Sequence, residues 1–594
     1  MTPRSRFLAR LDEYYRPFYR AVAVILLLTT LASITDLLAP YLFGRIVDLL
    51  TKKAEFGAVL VFALGALGAY LTSIMLNTYN EHYQNRHFDF DLPRSIMKKA
   101  IEKIFAFSIG QLANENSAIK LSVISSGESA LRNSLNVVVI NLGPTLLRAL
   151  FTVIALTIAD LWLGLLLAVG VTLETVVSIT LSKRFYPEIK ANQEMRRDDE
   201  KRASEALRNA ILIKANAREE ETVRELDTRR TSLDDKFKEM WERFIYKATS
   251  RMLITEFFRF AVILLGAWLV ITGKHTPGEL VIFLSWASSA FNGFGRIGFQ
   301  FRSLLSDYER ISRYFAMLDV PPAVTLSKHA ITLHPLVGAI NFDTVSFAYP
   351  GRGDAKKKGE HTLSEVSFTI KKGETVAIVG HSGAGKSTIV TLLLRGYDPD
   401  RGRVTIDGVD LRELALRPYL EQVGYVEQQV ELFDDTLHEN IFFGVPKEER
   451  AAAEVRLPTV LAASRIQQFL PRLGKAGIDT IIGEKGIRLS GGERQRVGIA
   501  RALIKDPRVL IFDEATSSLD SENEALIHEA IKDALKDRTG IIIAHRLSTV
   551  RDADKIIVLS EGKVVAMGKH TSLLRTSPEY KNLVEHQLGT VKRG

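Results

Sequence analysis

Hydrophobic positions are unevenly spread along this chain. The first half holds six long apolar segments, near Ala21–Asp48, Phe56–Thr78, Leu135–Ala159, Leu161–Leu181, Met252–Thr272 and Glu279–Phe299. Each is near or above the ~20 residues that a helix needs to cross a bilayer. Short connections (Thr51–Glu55, the break at Asp160, Gly273–Gly278) alternate with long charged ones, Tyr79–Ser134 and Ser182–Arg251. Within the second long connection, Arg196–Ala217 and Glu219–Trp241 contain no Pro or Gly. They read as helix throughout, so the membrane helices are expected to run on beyond the bilayer. Each long connection then turns once, with short helical tips near Ile109–Asn116 and Lys214–Glu221. The pattern changes after Asp319-Val320-Pro321-Pro322. From Gly338 onward, short β-like runs alternate with helices, as in a soluble α/β domain. Its first strands are Ile340–Phe347 and Leu363–Ile370, separated by the solvated loop Pro350–His361. The expected organisation is an all-α six-helix membrane domain over residues 1–318, a linker over 319–337 and an α/β domain over 338–594.

Charge sets the expected orientation. Arg4, Arg6, Arg10, Arg16 and Arg20 stand among Phe7, Tyr14, Tyr15 and Phe18, which reads as an interfacial amphipathic segment. The apolar run that follows is too long for a cleaved signal peptide, so no cleavage is expected. The basic N-terminus and both long connections are placed on the cytoplasmic side of the cytoplasmic membrane by the positive-inside rule. The soluble half then lies on the cytoplasmic side as well. The formal charge of +9 is accounted for by loops facing anionic lipid, and no nucleic-acid partner is expected. With no cysteine in the chain, disulfides, thiol nucleophiles and Cys-based zinc sites are excluded. The twelve histidines show no H-E-x-x-H spacing, so no transition-metal site is expected.

Several ionisable residues interrupt the apolar segments: Asp36, Arg148, Glu174, Glu256, Arg259 and Arg296. Arg148, Glu174 and Arg259 lie roughly 18–21 Å from the outer turns at 1.5 Å per residue. Charges at such depth face a bundle interior or a watery cavity. Arg148, Glu174, Arg259 and Arg296 are the candidate lining of a substrate cavity with a basic bias, which would suit a negatively charged cargo. The structural alternative is pairing, for example of Arg148 with Glu174, or helix that runs beyond the bilayer edge.

The soluble half carries the chemistry. Gly380-His381-Ser382-Gly383-Ala384-Gly385-Lys386-Ser387-Thr388 fits G-x-x-x-x-G-K-[ST] between the apolar strand Thr375–Val379 and an apolar helix. That context is what a phosphate-binding loop requires. Glycines let backbone N–H groups approach phosphate oxygens, and the helix N-terminus adds its dipole. Lys386 supplies a charge for the outer phosphates, and Ser387 a hydroxyl for Mg²⁺. Ser490, Gly491 and Gly492 precede a second helix, Glu493 to Ile504, a further anion-binding helix start. The strand Val509–Phe512 ends in Asp513, suited to the Mg²⁺ sphere, and Glu514, suited to polarise the attacking water. The strand Gly540–Ala544 delivers His545, whose imidazole fits the γ-phosphate. Tyr349 is a candidate for stacking on adenine. Gln428 follows the strand-like Gly424-Tyr425-Val426 as a candidate contact to Mg²⁺ or water.

Taken together, these residues resemble the ATP-binding cassette (ABC) exporters, specifically half-transporters with six membrane helices followed by one nucleotide-binding domain. Gly380–Thr388 is similar to the family's Walker A, Leu489–Arg496 to its signature, and Asp513 and Glu514 to the Walker B aspartate and catalytic glutamate. Gln428 is similar to the Q-loop glutamine, His545 to the switch histidine, Tyr349 to the A-loop aromatic, and Ser517-Ser518-Leu519-Asp520 to the D-loop. Thr480–Gly486, with Glu484, looks like the X-loop. Departures are Ser518 in the D-loop, and Glu427 and Val430 beside Gln428. The resemblance implies an ATP hydrolase coupled to transport, with ATP and Mg²⁺ as cofactors. It also implies two composite sites in a dimer, a homodimer in preference to a heterodimer. The implied activity is export or flipping of an amphipathic, lipidic or peptide substrate among membrane lipids by alternating access. The alternative is an ATP-gated or sensing membrane protein without net transport. A soluble P-loop enzyme is disfavoured by the six apolar segments.

Overall fold

The computed structural model describes residues 3–114, 117–294, 297–327, 329–350, 361–514, 521–544 and 550–589. The chain forms two compact units: Met1–Ile104 with Ser117–Val320, and Phe105–Asn116 with Pro321–Gly594.

The first unit is helical. Its helices are α1 (Pro3–Tyr15), α2 (Tyr19–Thr51), α3 (Phe56–Gln84) and α4 (Leu92–Phe105). After the short α5 (Ile109–Asn114), which belongs to the second unit, come α6 (Ser117–Asn136), α7 (Gly143–Ala159), α8 (Leu161–Arg208), α9 (Ala210–Ala215), α10 (Glu219–Ile271), α11 (Pro277–Phe294) and α12 (Ile297–Leu318). The turn between α7 and α8 is made by Asp160, whose carboxylate accepts the backbone N–H groups of Trp162 and Leu163 at 2.9 and 3.1 Å. It thereby satisfies donors that a helix start leaves open. With 48 and 53 residues, α8 and α10 reach about 72 and 80 Å at 1.5 Å per residue. A hydrocarbon core is only about 30 Å thick, so both extend far beyond it. The expected tips fall on α5 and α9, the second a few residues ahead of its expected place.

Among the described residues, five helical runs are long and apolar enough to cross a membrane. The sixth expected segment, 279–299, falls across α11 and α12, and residues 295–296 between them lie outside the described residues. Large apolar side chains such as Met75, Ile158, Trp162 and Ile271 are exposed, as a lipid-facing surface requires. Where helices touch, small residues permit it. A Cβ on Gly278 would lie 2.0 Å from the carbonyl oxygen of Gly44, so α2 and α11 pack through glycine.

The apolar segment 135–159 is not a uniform α-helix but widens to π-helical turns over Val137–Leu142. Pro144 explains this. It lacks an N–H, and its ring would strike the carbonyl four residues back in a regular helix.

The second unit contains two sheets. β1 (Ile340–Phe347), β2 (Leu363–Ile370), β4 (Arg401–Ile406) and β5 (Val409–Asp410) form an antiparallel sheet ordered β2-β1-β4-β5. A six-stranded sheet is ordered β10-β9-β3-β8-β7-β6, with β3 (Thr375–Gly380), β6 (Val423–Val426), β7 (Val509–Asp513), β8 (Thr539–Ile543), β9 (Lys555–Ser560) and β10 (Lys563–Gly568). All its pairings are parallel except β9–β10. Strands buried on both faces, such as the Ile-rich β8, read as continuous apolar runs for this reason.

Residues 105–116 count with this unit, and α5 sits on it closely. Gln111 accepts the Ala323 N–H at 2.8 Å and donates to the Pro321 carbonyl at 2.9 Å. A Cβ on Gly110 would fall 2.1 Å from Tyr397 Cε2 and 2.7 Å from the Gly396 carbonyl. Gly110→Val is therefore expected to overpack the seat by about 1–3 kcal/mol. The readout is faster hydrogen exchange across residues 109–114, with the β3–β9 core unchanged. Unaltered exchange at 109–114 would mean that the seat yields freely.

Candidate functional site

The register of the six-stranded sheet gathers the site. Ile378 of β3 and Asp513 of β7 both pair with Ile543 of β8, so the three strands end level. Ligands of such sheets gather at the carboxyl ends of the strands. There β3 runs into the phosphate-loop sequence, and α13 (Lys386–Leu393) leaves it. The loop needs its glycines for two reasons. Gly383 and Gly385 sit at φ +81° and +100°, where a side chain is strained. A Cβ on Gly380 would lie 2.3 Å from the Leu559 carbonyl oxygen. His381, Ser382, Gly383 and Ser387 are exposed, whereas Ala384, Lys386 and Thr388 are buried.

Lys386 folds back onto its own loop, donating to the Gly380 and His381 carbonyls at 2.9 and 3.0 Å. Burial pushes its ammonium below the usual lysine range, and the carboxylates of Glu514 and Asp513 partly offset that. A half-desolvated cation beneath an exposed glycine loop is arranged for polyphosphate oxygens. Thr388 bonds the Tyr349 hydroxyl, which donates to its Oγ1 at 3.3 Å. The Tyr349 ring meets Phe347 and Tyr397 edge-on, with centroids at 5.0 and 5.7 Å.

Glu514 follows β7 with φ +49°, and its N–H donates to the Ile543 carbonyl at 3.0 Å. That bond ties the acidic pair to the neighbouring strand. The Glu514 carboxylate accepts from Gln428 Nε2 at 2.6 Å, a charge-assisted contact between residues far apart in the chain. On Asp513, Oδ2 faces the Tyr425 hydroxyl at 3.5 Å. Burial first, then the Asp513 charge, raises the Tyr425 phenol above its ordinary value. Ser387, exposed at the start of α13, and Asp513 offer hard oxygen donors of the kind Mg²⁺ takes.

Two α-helices after β6, α14 (Leu416–Glu421) having preceded it, are α15 (Leu437–Phe442) and α16 (Arg450–Glu454); α17 (Leu457–Ala463) and α18 (Gly491–Leu503) follow. Ser490 caps α18. Its Oγ accepts the Glu493 N–H at 3.3 Å, and the Glu493 carboxylate accepts the Ser490 N–H at 2.7 Å. This reciprocal box settles the helix start. Burial would raise the Glu493 carboxyl, but the Ser490 N–H and the Arg472 guanidinium outweigh it and hold the group below its usual range. Ser490 and Gly491 are exposed. Among the described residues, Ser490 makes its side-chain bond within its own helix start and none to the phosphate loop. Gln428, Glu484, Lys485, Gly491 and Arg494 line one cleft of about 620 Å³.

The structure thus places Gln428 beside Glu514, and Lys386 near both carboxylates, at one sheet edge; Tyr349 bonds Thr388. His545, Asp520 and the rest of 517–520 lie outside the described residues, as does Arg296. In the membrane unit, Arg148 does not meet Glu174. Arg148 Nη2 lies 3.1 Å from Asp36 Oδ2. Glu174, fully buried, lies 2.9 Å from Arg251 Nη1. The reason is the packing of α8 along α10, where a Cβ on Gly170 would touch Phe258 at 2.7 Å; the same antiparallel contact sets Glu174 opposite Arg251. Arg259 pairs with Glu256 at 3.1 Å on its own helix. The expected basic bias is therefore offset by a carboxylate at each of the two described arginines. Sequence reading missed Arg251, since a basic residue at the edge of an apolar run gives no sign of its partner.

Gly385→Ala tests the loop geometry. The new Cβ would sit at φ +100° and 2.6 Å from Leu363 Cδ2. Nucleotide affinity is expected to fall at least about tenfold, equivalent to about 1.4 kcal/mol, in a fluorescent-nucleotide titration, with the circular dichroism of the unit retained. Undiminished affinity would mean that the left-handed glycine is dispensable.

Residues 22–293 match the family described as the ABC transporter transmembrane region, and residues 363–517 the family described as ABC transporter. The chain is 30% identical over 597 residues to ABC transporter B family member 1 of Dictyostelium discoideum, covering 98% of this chain and 63% of that protein. It therefore spans a little under two thirds of that relative's length. It is 32% identical over 564 residues to the Beta-(1-->2)glucan export ATP-binding/permease protein NdvA of Rhodopseudomonas palustris strain BisB18, covering 92% of this chain and 90% of that one. Among solved structures, a bacterial Atm1-family ABC exporter with ATP bound superimposes with a TM-score of 0.81 at 28% identity, covering 96% and 98% of the two chains.

Proposed function

The chain belongs to the ABC transporter family, with a multi-pass membrane region and an ATPase domain in one polypeptide, and from that membership we propose that it exports or flips an amphipathic or lipidic substrate at the cost of ATP. The observation that carries this reading is the convergence of Lys386, Asp513 and the Gln428–Glu514 pair at the end of one sheet, under a glycine loop open to solvent.

The residues divide the chemistry. The loop N–H groups and Lys386 bind and neutralise the outer phosphates, and Tyr349 supports the base. Ser387, Gln428 and Asp513 would hold Mg²⁺, which would supply charge neutralisation at the phosphates. Glu514 accepts the proton of the attacking water, and His545 steadies the γ-phosphate. The exposed Ser490–Gly491 start of α18 meets the nucleotide of a second copy, so two chains make two composite sites. A homodimer is preferred because each chain keeps its own Glu514 and signature. The nucleotide-binding domain and N-terminus face the cytoplasm. Substrate and ATP then change one another's affinity by the same factor.

Reconstituted vesicles with outward-facing ATPase domains test the proposal. ATP-dependent accumulation or leaflet exchange of an amphipathic substrate is expected from wild type and not from Glu514→Gln. ATP hydrolysis that responds to such compounds without any net movement would favour a gating or sensing role.

A further inference from the structure

The membrane unit contains a cavity of about 380 Å³ where α7, α11 and α12 meet. Polar side chains predominate in its wall: Asn141, Thr145, Arg148, Ser289, Asn292 and Gln300 stand there beside Ile140 and Pro144. It lies against the widened turns of Val137–Leu142. Asn141 is in the widened turn ahead of Pro144, and Gln300 is carried by α12. Wide turns of this kind gather at functional sites. The close approach of α7 and α11 bounds the cavity, since a Cβ on Gly293 would lie 3.1 Å from Thr145 Cγ2.

The wall is not satisfied from within. Gln300 is only 8% exposed, and among the described residues its Oε1 has no hydrogen-bond partner. Nor does the buried Nε of Arg148. One is an acceptor awaiting a donor, and the other a donor awaiting an acceptor. Unmet polar groups within a bilayer are costly, and an apolar chain entering the cavity would satisfy neither. An anion would serve Arg148 alone, and the charge of Arg148 is already matched by Asp36 at 3.1 Å. A hydroxyl both donates and accepts. Asn141, Thr145, Ser289 and Asn292 repeat that mixed demand around the wall, although Thr145 Oγ1 also donates to the Asn141 carbonyl at 2.8 Å and Asn292 Oδ1 accepts from Arg259 at 3.3 Å.

We propose that this cavity is a headgroup subsite that takes an uncharged polyhydroxyl group, such as a sugar carried on an apolar tail. The assignment deepens the export reading and rests on it for its role. It differs from the anionic cargo that the arginine positions alone suggested.

The full chain is placed in phosphatidylcholine nanodiscs holding equal amounts of a monoglucosyl diacylglycerol, a phosphatidylglycerol and a diacylglycerol with the same acyl chains. After extraction into a detergent without a sugar head, native mass spectrometry counts the lipid retained per chain. The glucosyl lipid is expected to be enriched at least tenfold over the other two. Gln300→Leu is expected to cut that enrichment at least fivefold. Ser289→Ala, which removes a single oxygen and keeps the fold safe, is expected to lower it in the same direction. Equal retention of diacylglycerol, preference for phosphatidylglycerol, or enrichment indifferent to both substitutions would each overturn the subsite. Retention as expected with no ATP-dependent movement in vesicles would sink the export reading and leave the subsite standing. Movement without selective retention would do the reverse.

Discussion

Glu514→Gln is expected to slow ATP turnover by about 10²–10⁴-fold, the range that a positioned general base supplies, while nucleotide still binds. The geometry separates the two effects. Glu514 is held by its backbone N–H to the Ile543 carbonyl and by the Gln428 amide at 2.6 Å. A glutamine of the same shape keeps the first bond, and its carbonyl oxygen can still accept the second. What it loses is the ability to take a proton. The groups that face phosphate, Lys386 and the loop N–H donors, are left as they are. Phosphate release measures the first quantity and trapped nucleotide the second. Turnover within tenfold of wild type would move the proton acceptor elsewhere. Loss of binding as well would mean that Glu514 builds the site and does not act on the water.

Glu174→Ala is expected to destabilise the membrane unit by about 3–5 kcal/mol, the usual result of removing one partner from a buried ion pair. Glu174 is wholly buried, and its carboxylate lies 2.9 Å from a guanidinium that is itself largely enclosed. Without the carboxylate, the Arg251 charge would lose its counter-ion in surroundings that solvate it poorly. Replacing both residues, Glu174→Met with Arg251→Leu, removes the charge together with its partner and is expected to restore most of the loss. Thermal unfolding in nanodiscs, followed by intrinsic fluorescence, reads both variants. If the double variant is as unstable as the single one, packing volume and not charge holds α8 to α10.

The chain's local patterns determined most of the architecture. Apolar segments of bilayer length, interrupted at Asp160 and Gly273, specify membrane helices, because uninterrupted burial in lipid and a capped turn are both local properties. The strands Ile340–Phe347 and Leu363–Ile370 run where the alternation of residues puts them. The phosphate loop is legible for the same reason: its glycines answer to backbone angles within nine residues, +81° at Gly383 and +100° at Gly385.

Tertiary structure alone decided the partnerships. Gln428 meets Glu514 only because β6 and β7 lie side by side in parallel, a matter of strand order that no local spacing encodes. Arg148 turned to Asp36, and Glu174 to Arg251, because helix faces are chosen by packing along their whole length and not by depth in the membrane. The polar cavity beside Gln300 forms where the segment widened ahead of Pro144 packs with α11 and α12, so that amide and hydroxyl groups far apart in sequence share one wall. Local sequence sets the hydrogen-bonding needs of each segment. Which distant group meets those needs is settled when the segments pack.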